Sequence, residues 1–494
     1  MEVKSSFRLF LSKYSTVIVI VILGIISLLV FLPNLGKSPL VDYDEGTYAR
    51  VIHDTRVSGD ITTLQYFGRP WFEKPPLYFW TAIASVSVFG ENEFTMRLPA
   101  VIFSLLTLLF TFLIAKRLSN IKVAIGATLI LLFSPLYHYY STEIRVDTGV
   151  LMGMMAALYF FISGWEKPKF LLGVLPAIAV GFMMKDVIAL LIIPIALFFA
   201  FFYKQWRWLR SKFFWFGLLP MAIVAIPWHL EQHLRFGSAF WNDYIGYHVV
   251  DRAVKGLGIG IEKSTGNYWG YFQYLWVYAQ PLWIIFILLS IFYFGYWLLK
   301  KRQQDPLIVA SFITVLFFIT IFTLARTQII TYILPIFPFI AIILAGILAK
   351  IFEKKFQIYI IVVALFVGLL IVTDHFSQNV VFPYHMAEKS VATKYKQLSS
   401  GQPLYVVEWP IHESIRYYSG TKPNFIGFAK DHDVAIPADS YFILNRYYLA
   451  YFLDSKGIAL PEYGNLEVKD ADDYLLLLYT NKEISLKSSG YKEQ

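Results

Sequence analysis

Apolar runs of about 20 residues recur along most of this chain, and that is the length at which a single helix crosses the hydrocarbon of a bilayer. They lie near 14–32, 97–115, 121–139, 148–164, 170–184, 186–203, 213–230, 274–299, 306–324, 328–349 and 356–374, about eleven spans, the fifth and sixth divided around Lys185. Composition agrees. With 494 residues, 57% hydrophobic and only 16% charged, the chain has more apolar surface than one soluble core could hide. A net charge of +9 would suit nucleic acid, but the cations sit in short clusters between apolar runs. They read as topology signals, and nucleic acid is excluded as a partner. The absence of cysteine removes disulfides and thiolate metal sites.

Lys4, Arg8 and Lys13 precede the first run, which is longer than a signal-peptide core and is followed by no small-residue cleavage site. An uncleaved first transmembrane helix is expected. Basic residues in short loops set orientation. Lys116, Arg117 and Lys122, then Lys167 and Lys169, then Lys204, Arg207, Arg210 and Lys212, then Lys300, Lys301 and Arg302, then Lys350, Lys354 and Lys355 all fall on the side of the N-terminus. That side is therefore expected to be cytoplasmic. An odd number of spans puts the C-terminus outside the cell's inner (plasma) membrane.

Two outer loops are long, about 33–96 and 231–273, and beyond residue 374 the composition becomes that of ordinary soluble sequence. Residues 404–407, 441–444 and 474–479 read as strands and 384–399 as a helix. The expected organisation is a membrane domain over 1–374 and a small extracytoplasmic α/β domain over 375–494.

Ionisable groups are costly at membrane depth, so those at the ends of apolar runs carry the functional reading. Asp44, Glu45, Glu73, Lys74, Arg97, Arg145, Asp147, Lys185, His248, Arg252 and Arg326 all fall on the outer side. The segment from Asp44 and Glu45 through Tyr48 has helical spacing until Gly59, and reads as a short helix lying in the interface. Carboxylates at its start meet the positive helix end, which favours the ionised form that a base or a metal ligand needs. Glu73 and Lys74 are presented rigidly between aromatics and a double proline. The lysine suits a phosphate, and the glutamate suits fixing that lysine or ligating a metal. Asp147 opens one span and Lys185 another. His248 and Arg252 are four apart and would share a helical face.

Taken together, Asp44-Glu45-x-x-Tyr48-Ala49, Phe72-Glu73-Lys74-Pro75-Pro76, Asn92-Glu93-Phe94 with Arg97-Leu98-Pro99, Glu143-x-Arg145-x-Asp147, Lys185, and Tyr332-Ile333-Leu334-Pro335 with Pro338 resemble the GT-C-fold membrane glycosyltransferases. That group includes the protein O-mannosyltransferases and the lipid A aminoarabinose transferases. The resemblance covers roughly residues 14–350 and implies inverting transfer of a sugar from a polyprenyl phosphate, undecaprenyl phosphate in a bacterial membrane, to a lipid, glycan or protein acceptor. It implies Asp44 as the catalytic acidic residue, Lys74 and Lys185 at the donor phosphate, and a divalent metal ion at Glu73 with His248. Two departures stand out: Asp186 follows Lys185 where a glycine is usual, and residues 247–252 match only loosely.

A polyprenyl phosphate is already a good leaving group, so the chemistry calls for cations on the departing phosphate and a base for the acceptor. Lys74, Lys185, Arg252 and Arg326 are candidates for the first, and Asp44 or Asp147, with Glu45 beside it, for the second. Tyr48, Arg97 and Arg145 are expected to bind substrate, and Trp71, Tyr78 and Tyr139 to offer ring faces to a sugar. An oligosaccharyltransferase of the same fold and a lipid-linked sugar flippase are the alternatives. A flippase would place its ionisable groups near the midplane.

Overall fold

A computed structural model describes residues 2–255, 261–262, 295, 305–352, 355, 357–360, 362–364, 368, 382–407, 412–426, 434–445, 466–471 and 474–486. The expected span at 274–299 lies outside the described residues but for 295, as does most of that at 356–374. The chain is a polytopic helical membrane protein. Two compact units divide it, one of residues 1–35 and 55–377, the other of 36–54 and 378–494.

In the first unit the helices fall where the apolar runs predicted, because a segment without water must satisfy its own backbone. They are α1 (Glu2–Phe31), α4 (Glu93–Leu118), α5 (Ile121–Leu132), α6 (Pro135–Ser141), α7 (Val146–Gly164), α8 (Val174–Met184), α9 (Ile192–Phe202), α10 (Lys212–Phe216), α11 (Leu218–Phe236), α12 (Pro306–Leu324) and α13 (Ile336–Ile351). Between α1 and α4 lie α2 (Asp42–Ser58) and α3 (Leu77–Phe89). Among the described residues, four helices are long and apolar enough to cross a membrane alone, and five shorter apolar helices accompany them.

Caps set the ends. Asn92 accepts from Thr95 N–H at 3.0 Å while the Thr95 hydroxyl accepts from Asn92 N–H, a reciprocal box that starts α4. Lys116 and Arg117 stand in its last turn, where cations complement the negative helix end. Asn120 caps α5 by accepting from Val123 N–H and Asp305 caps α12 by accepting from Leu307 N–H, without the reciprocal bond.

Two of the departures from expectation fall at proline. The run 121–139 is two helices, α5 and α6, meeting at 67°. Pro135 opens the second; it cannot donate to the preceding turn and pushes Ser134 into an extended conformation. The run 328–349 begins with a two-residue strand, Thr327–Gln328, and a 3-10 turn, Ile330–Ile333, so that α13 starts only at Ile336, just after Pro335.

Helices α7 and α8 meet through glycine. A Cβ on Gly153 would lie 2.7 Å from the Cα of Gly181, and one on Gly149 would strike Met184 Sδ at 2.6 Å. Small residues let backbones approach this closely, which is how helices associate where lipid is as apolar as leucine.

In the first long loop, α2 lies where a short helix was expected, whereas α3 occupies sequence expected to be loop. Between them a hairpin of β1 (Gln65–Tyr66) and β2 (Arg69–Pro70) turns through Phe67 and Gly68, with φ of 49° and 71°. Positive φ at both turn residues matches the twist of paired strands.

The second unit holds residues 36–54, hence the first three turns of α2, together with the tail. Its strands β3 (Leu404–Val407), β4 (Asn424–Ile426), β5 (Ser440–Asn445), β6 (Leu466–Ala471) and β7 (Leu475–Thr480) form one sheet in the order β4-β3-β5-β7-β6. The pairs β4–β3 and β3–β5 are parallel, the others antiparallel. Helices α14 (Phe382–Leu398) and α15 (Glu413–Ser419) complete it, and Val407, Ile436, Phe442, Leu444 and Leu478 pack its core.

Candidate active site

The loop from Gly59 to Pro76 is strapped to α11, and this fixes what it presents. Trp228 Nε1–H and Gln232 Nε2–H both donate to the Thr62 carbonyl, at 2.8 and 3.1 Å. Arg235 pairs with Asp60 at 2.7 Å. Phe72 then enters an aromatic cluster with Trp228, Phe240 and Tyr244, and the next two residues, Glu73 and Lys74, are held against it.

Lys74 is 2% exposed, so its charge must be answered inside the protein. Its Nζ lies 3.4 Å from Glu73 Oε1 and donates to the Glu73 carbonyl at 3.2 Å. Arg252 reaches the same carboxylate oxygen at 3.5 Å and His248 Nδ1 comes within 3.9 Å of it. Residues 242–251 form a π-helix, a widened winding that often marks functional sites. His248 lies in it and Arg252 just beyond it, and both meet Glu73; their spacing predicted only a shared helical face. Burial pushes the Glu73 carboxyl up, but Lys74, His248 and Arg252 together outweigh it and hold the group below its ordinary value.

A second buried pair stands beside this one. Lys185 Nζ meets Asp147 Oδ1 at 2.5 Å and lies over the Tyr332 ring at 5.1 Å. Tyr332 is also within hydrogen-bonding reach of Arg252. Arg252 thus touches both groups, and Lys74 and Lys185, buried, and Arg252, half-buried, belong to one cationic neighbourhood with Glu73, Asp147 and Asp186 among them. Asp186, the departure noted in the sequence, caps the 3-10 turn 187–191 by accepting from Ile188 N–H at 3.0 Å.

The remaining candidates of this unit sit differently. Arg97, 1% exposed, donates to the Leu35 carbonyl at 2.9 Å. Arg145 pairs with Glu143 at 3.0 Å and lies over the Tyr140 ring, while its backbone N–H donates to the Tyr78 hydroxyl. Arg326 is exposed, its backbone N–H donating to the Ala253 carbonyl. Tyr78 was expected to offer a face to sugar. It is instead fully buried, packed on Phe79 and Phe103. Trp71 packs edge-on to Phe79 and Tyr139 edge-on to Tyr140. Tyr332 and Glu143 carried no separate signal beyond the motifs that contain them.

Asp44, Glu45 and Tyr48 belong to the second unit. Glu45 is buried and accepts from Val41 N–H at 2.6 Å, an N-terminal cap for α2. Asp44, half-buried, stands in the helix's first turn. Tyr48 is buried.

Residues 73–230 match the family described as dolichyl-phosphate-mannose-protein mannosyltransferase. Among curated relatives, the undecaprenyl phosphate-alpha-4-amino-4-deoxy-L-arabinose arabinosyl transferase of Edwardsiella ictaluri is 27% identical over 342 residues, 66% of this chain and 58% of that protein. The chain thus spans a little over half the length of the relatives it matches. Among solved structures, ArnT from Cupriavidus metallidurans bound to undecaprenyl phosphate superposes with a TM-score of 0.66 at 17% identity, over 94% of this chain and 98% of that one. An oligosaccharyltransferase of Archaeoglobus fulgidus in its apo form gives a TM-score of 0.54 at 14% identity, over 83% and 64%.

Proposed function

From the GT-C fold that the chain shares with these membrane enzymes, we propose that it is an inverting glycosyltransferase. It takes a sugar from a polyprenyl phosphate, undecaprenyl phosphate by analogy with the relatives' substrates, and delivers it to a lipid, glycan or protein acceptor on the non-cytoplasmic face. The observation that carries this reading is the neighbourhood of Lys74, Lys185 and Arg252, the two lysines buried and the arginine half-buried. The three cations converge although each already has a carboxylate partner, and a phosphodiester that gains a second negative charge as it departs is a ligand such a convergence would stabilise.

In the proposed reaction an acceptor oxygen attacks the anomeric carbon, the bond from that carbon to the phosphate oxygen breaks, and the phosphate leaves with the electron pair. Lys74, Lys185 and Arg252 stabilise the leaving phosphate, while Glu73 and Asp147 hold Lys74 and Lys185 in place before the donor arrives. Arg326 is proposed as an outer contact for the same phosphate, and Tyr48, Arg97 and Arg145 as residues that shape the substrate site. Asp44 is proposed to take the acceptor's proton, with Glu45 setting the helix that carries it. Asp147 is the alternative base. An acceptor that is itself a phosphate needs no base, and the carboxylate then only orients it.

Glu73 and the buried His248 Nδ1, which makes no hydrogen bond, fit as two protein ligands of a divalent cation whose shell phosphate oxygens would complete. Such an ion would add positive charge at the leaving group. Topologically we propose a cytoplasmic N-terminus and an extracytoplasmic tail.

The test is transfer by purified protein from a panel of synthetic undecaprenyl-phosphate sugars, wild type against Asp44→Asn. The expected loss is about 100- to 10,000-fold, the range for a general base, in a variant that unfolds at the wild-type temperature. Unchanged turnover moves the chemistry to Asp147. No transfer from any donor, with donor crossing vesicle membranes, sinks the enzyme reading.

A further inference from the structure

A second constellation of ionisable groups lies wholly within the unit of residues 36–54 and 378–494. His385 and Glu388 occupy one face of α14, three residues apart, and His412 immediately precedes α15. His385 Nδ1 is 3.3 Å from Glu388 Oε2, and His412 Nδ1 makes a very short contact with Glu388 Oε1. The imidazole centroids are 5.9 Å apart. One donor atom from each residue lies within 4.8 Å of the other two, and this is the three-donor grouping found among the described residues.

Three features distinguish the cluster from a surface ion pair. Glu388 is wholly buried and His385 is 8% exposed, so neither group is answered by water. Both imidazoles turn the same nitrogen toward one carboxylate, which is convergence rather than a chain of contacts. The Ser414 hydroxyl donates to Glu388 Oε2 at 2.7 Å, a hydrogen bond of the kind that fixes a ligating carboxylate. Two imidazoles and a carboxylate are the donor set of a zinc ion, with a fourth position left to water. Around such an ion, bonds of about 2.0–2.1 Å place the donors roughly 3.3 Å apart, the separation His385 Nδ1 and Glu388 Oε2 already have, while the very short His412–Glu388 contact would open.

We propose that His385, Glu388 and His412 bind a divalent transition-metal ion of the zinc class, separate from Glu73 and His248. The ion ties α14 to the start of α15. That start supports α2: a Cβ on Gly46 would lie 2.5 Å from the backbone of Glu413 and Ser414, and Leu40 N–H donates to the Tyr418 hydroxyl at 2.8 Å. The metal therefore braces the surface on which the first turns of α2 rest. The proposal does not depend on the transferase reading.

The competing account is a proton: one imidazolium would balance the buried carboxylate without any metal. Full-length protein in detergent, stripped with chelator and then equilibrated with zinc, separates the two. Wild type is expected to hold one more zinc equivalent than His412→Ala and than Glu388→Gln, an isosteric change that keeps the hydrogen-bonded shape. Zinc should raise the unfolding temperature of wild type and leave both variants unmoved. Cobalt(II) should give the visible bands of a four-coordinate site in wild type and in Glu73→Gln/His248→Ala, and none in His412→Ala. Equal zinc content in wild type and both variants overturns the proposal, as does cobalt absorption that follows Glu73 and His248 instead.

Discussion

Lys185 and Asp147 lie 38 residues apart in sequence and 2.5 Å apart in the structure, and each is tolerated in its buried place because of the other. Removing one partner leaves an uncompensated charge, which typically costs about 3–5 kcal/mol. Lys185→Met should therefore lower the unfolding temperature sharply. Lys185→Met/Asp147→Leu should recover most of the loss, while neither variant transfers sugar. A double variant as unstable as the single one would mean that the pair's geometry matters more than its charge. At Glu73 the carboxyl is held below its ordinary value by Lys74, His248 and Arg252. A depressed carboxylate contributes stability that is present above its unfolded pKa, about 4.3, and that disappears as pH falls through the folded value. Thermal unfolding followed from pH 6 down to pH 3 should thus show an acid-side loss that is smaller in Glu73→Gln. The residue types at the site were legible because charge is conspicuous in apolar sequence. Their partners were not: nothing along the chain says that Arg252 contacts both the Glu73 group and Tyr332, or that the Tyr78 hydroxyl is occupied by the backbone of Arg145.

Hydropathy reports that a segment is apolar and says little about its direction. For that reason α4, α7 and α12 lie where they were read, within a few residues, whereas 121–139 is bent by 67° and 328–349 starts late. In both cases the signal was present as Pro135 and Pro335, which act on backbone geometry and leave mean hydropathy unchanged. In the tail, strands read at 404–407, 441–444 and 474–479 coincide with β3, β5 and β7, since each is a short, unbroken apolar run. The short strand β4, Asn424–Ile426, is too brief to give such a run. Two predictions belong to elements. Asn92→Ala removes the α4 cap and should cost about 1 kcal/mol, read as a small fall in unfolding temperature with activity retained. Gly153→Leu places a side chain where the Gly181 backbone already stands. It should abolish the folded membrane unit, seen as aggregation on size-exclusion chromatography, whereas Gly24→Leu, with open space around it, should elute as wild type.

Over the whole molecule the absence of cysteine turns topology into a direct measurement. A single cysteine at Ser400 should react with an impermeant maleimide in intact cells, and one at Lys167 only after permeabilisation; the reverse pattern would invert the proposed orientation. The two units also differ in what holds them. The tail's sheet core of Val407, Phe442, Leu444 and Leu478 is sealed by water leaving apolar surface, a force that weakens on cooling. The glycine seam between α7 and α8 displaces no water and freezes almost no rotamers. Its strength is contact attraction alone, with next to no heat-capacity signature, so chilling that loosens an oil-like core leaves that joint as tight as before.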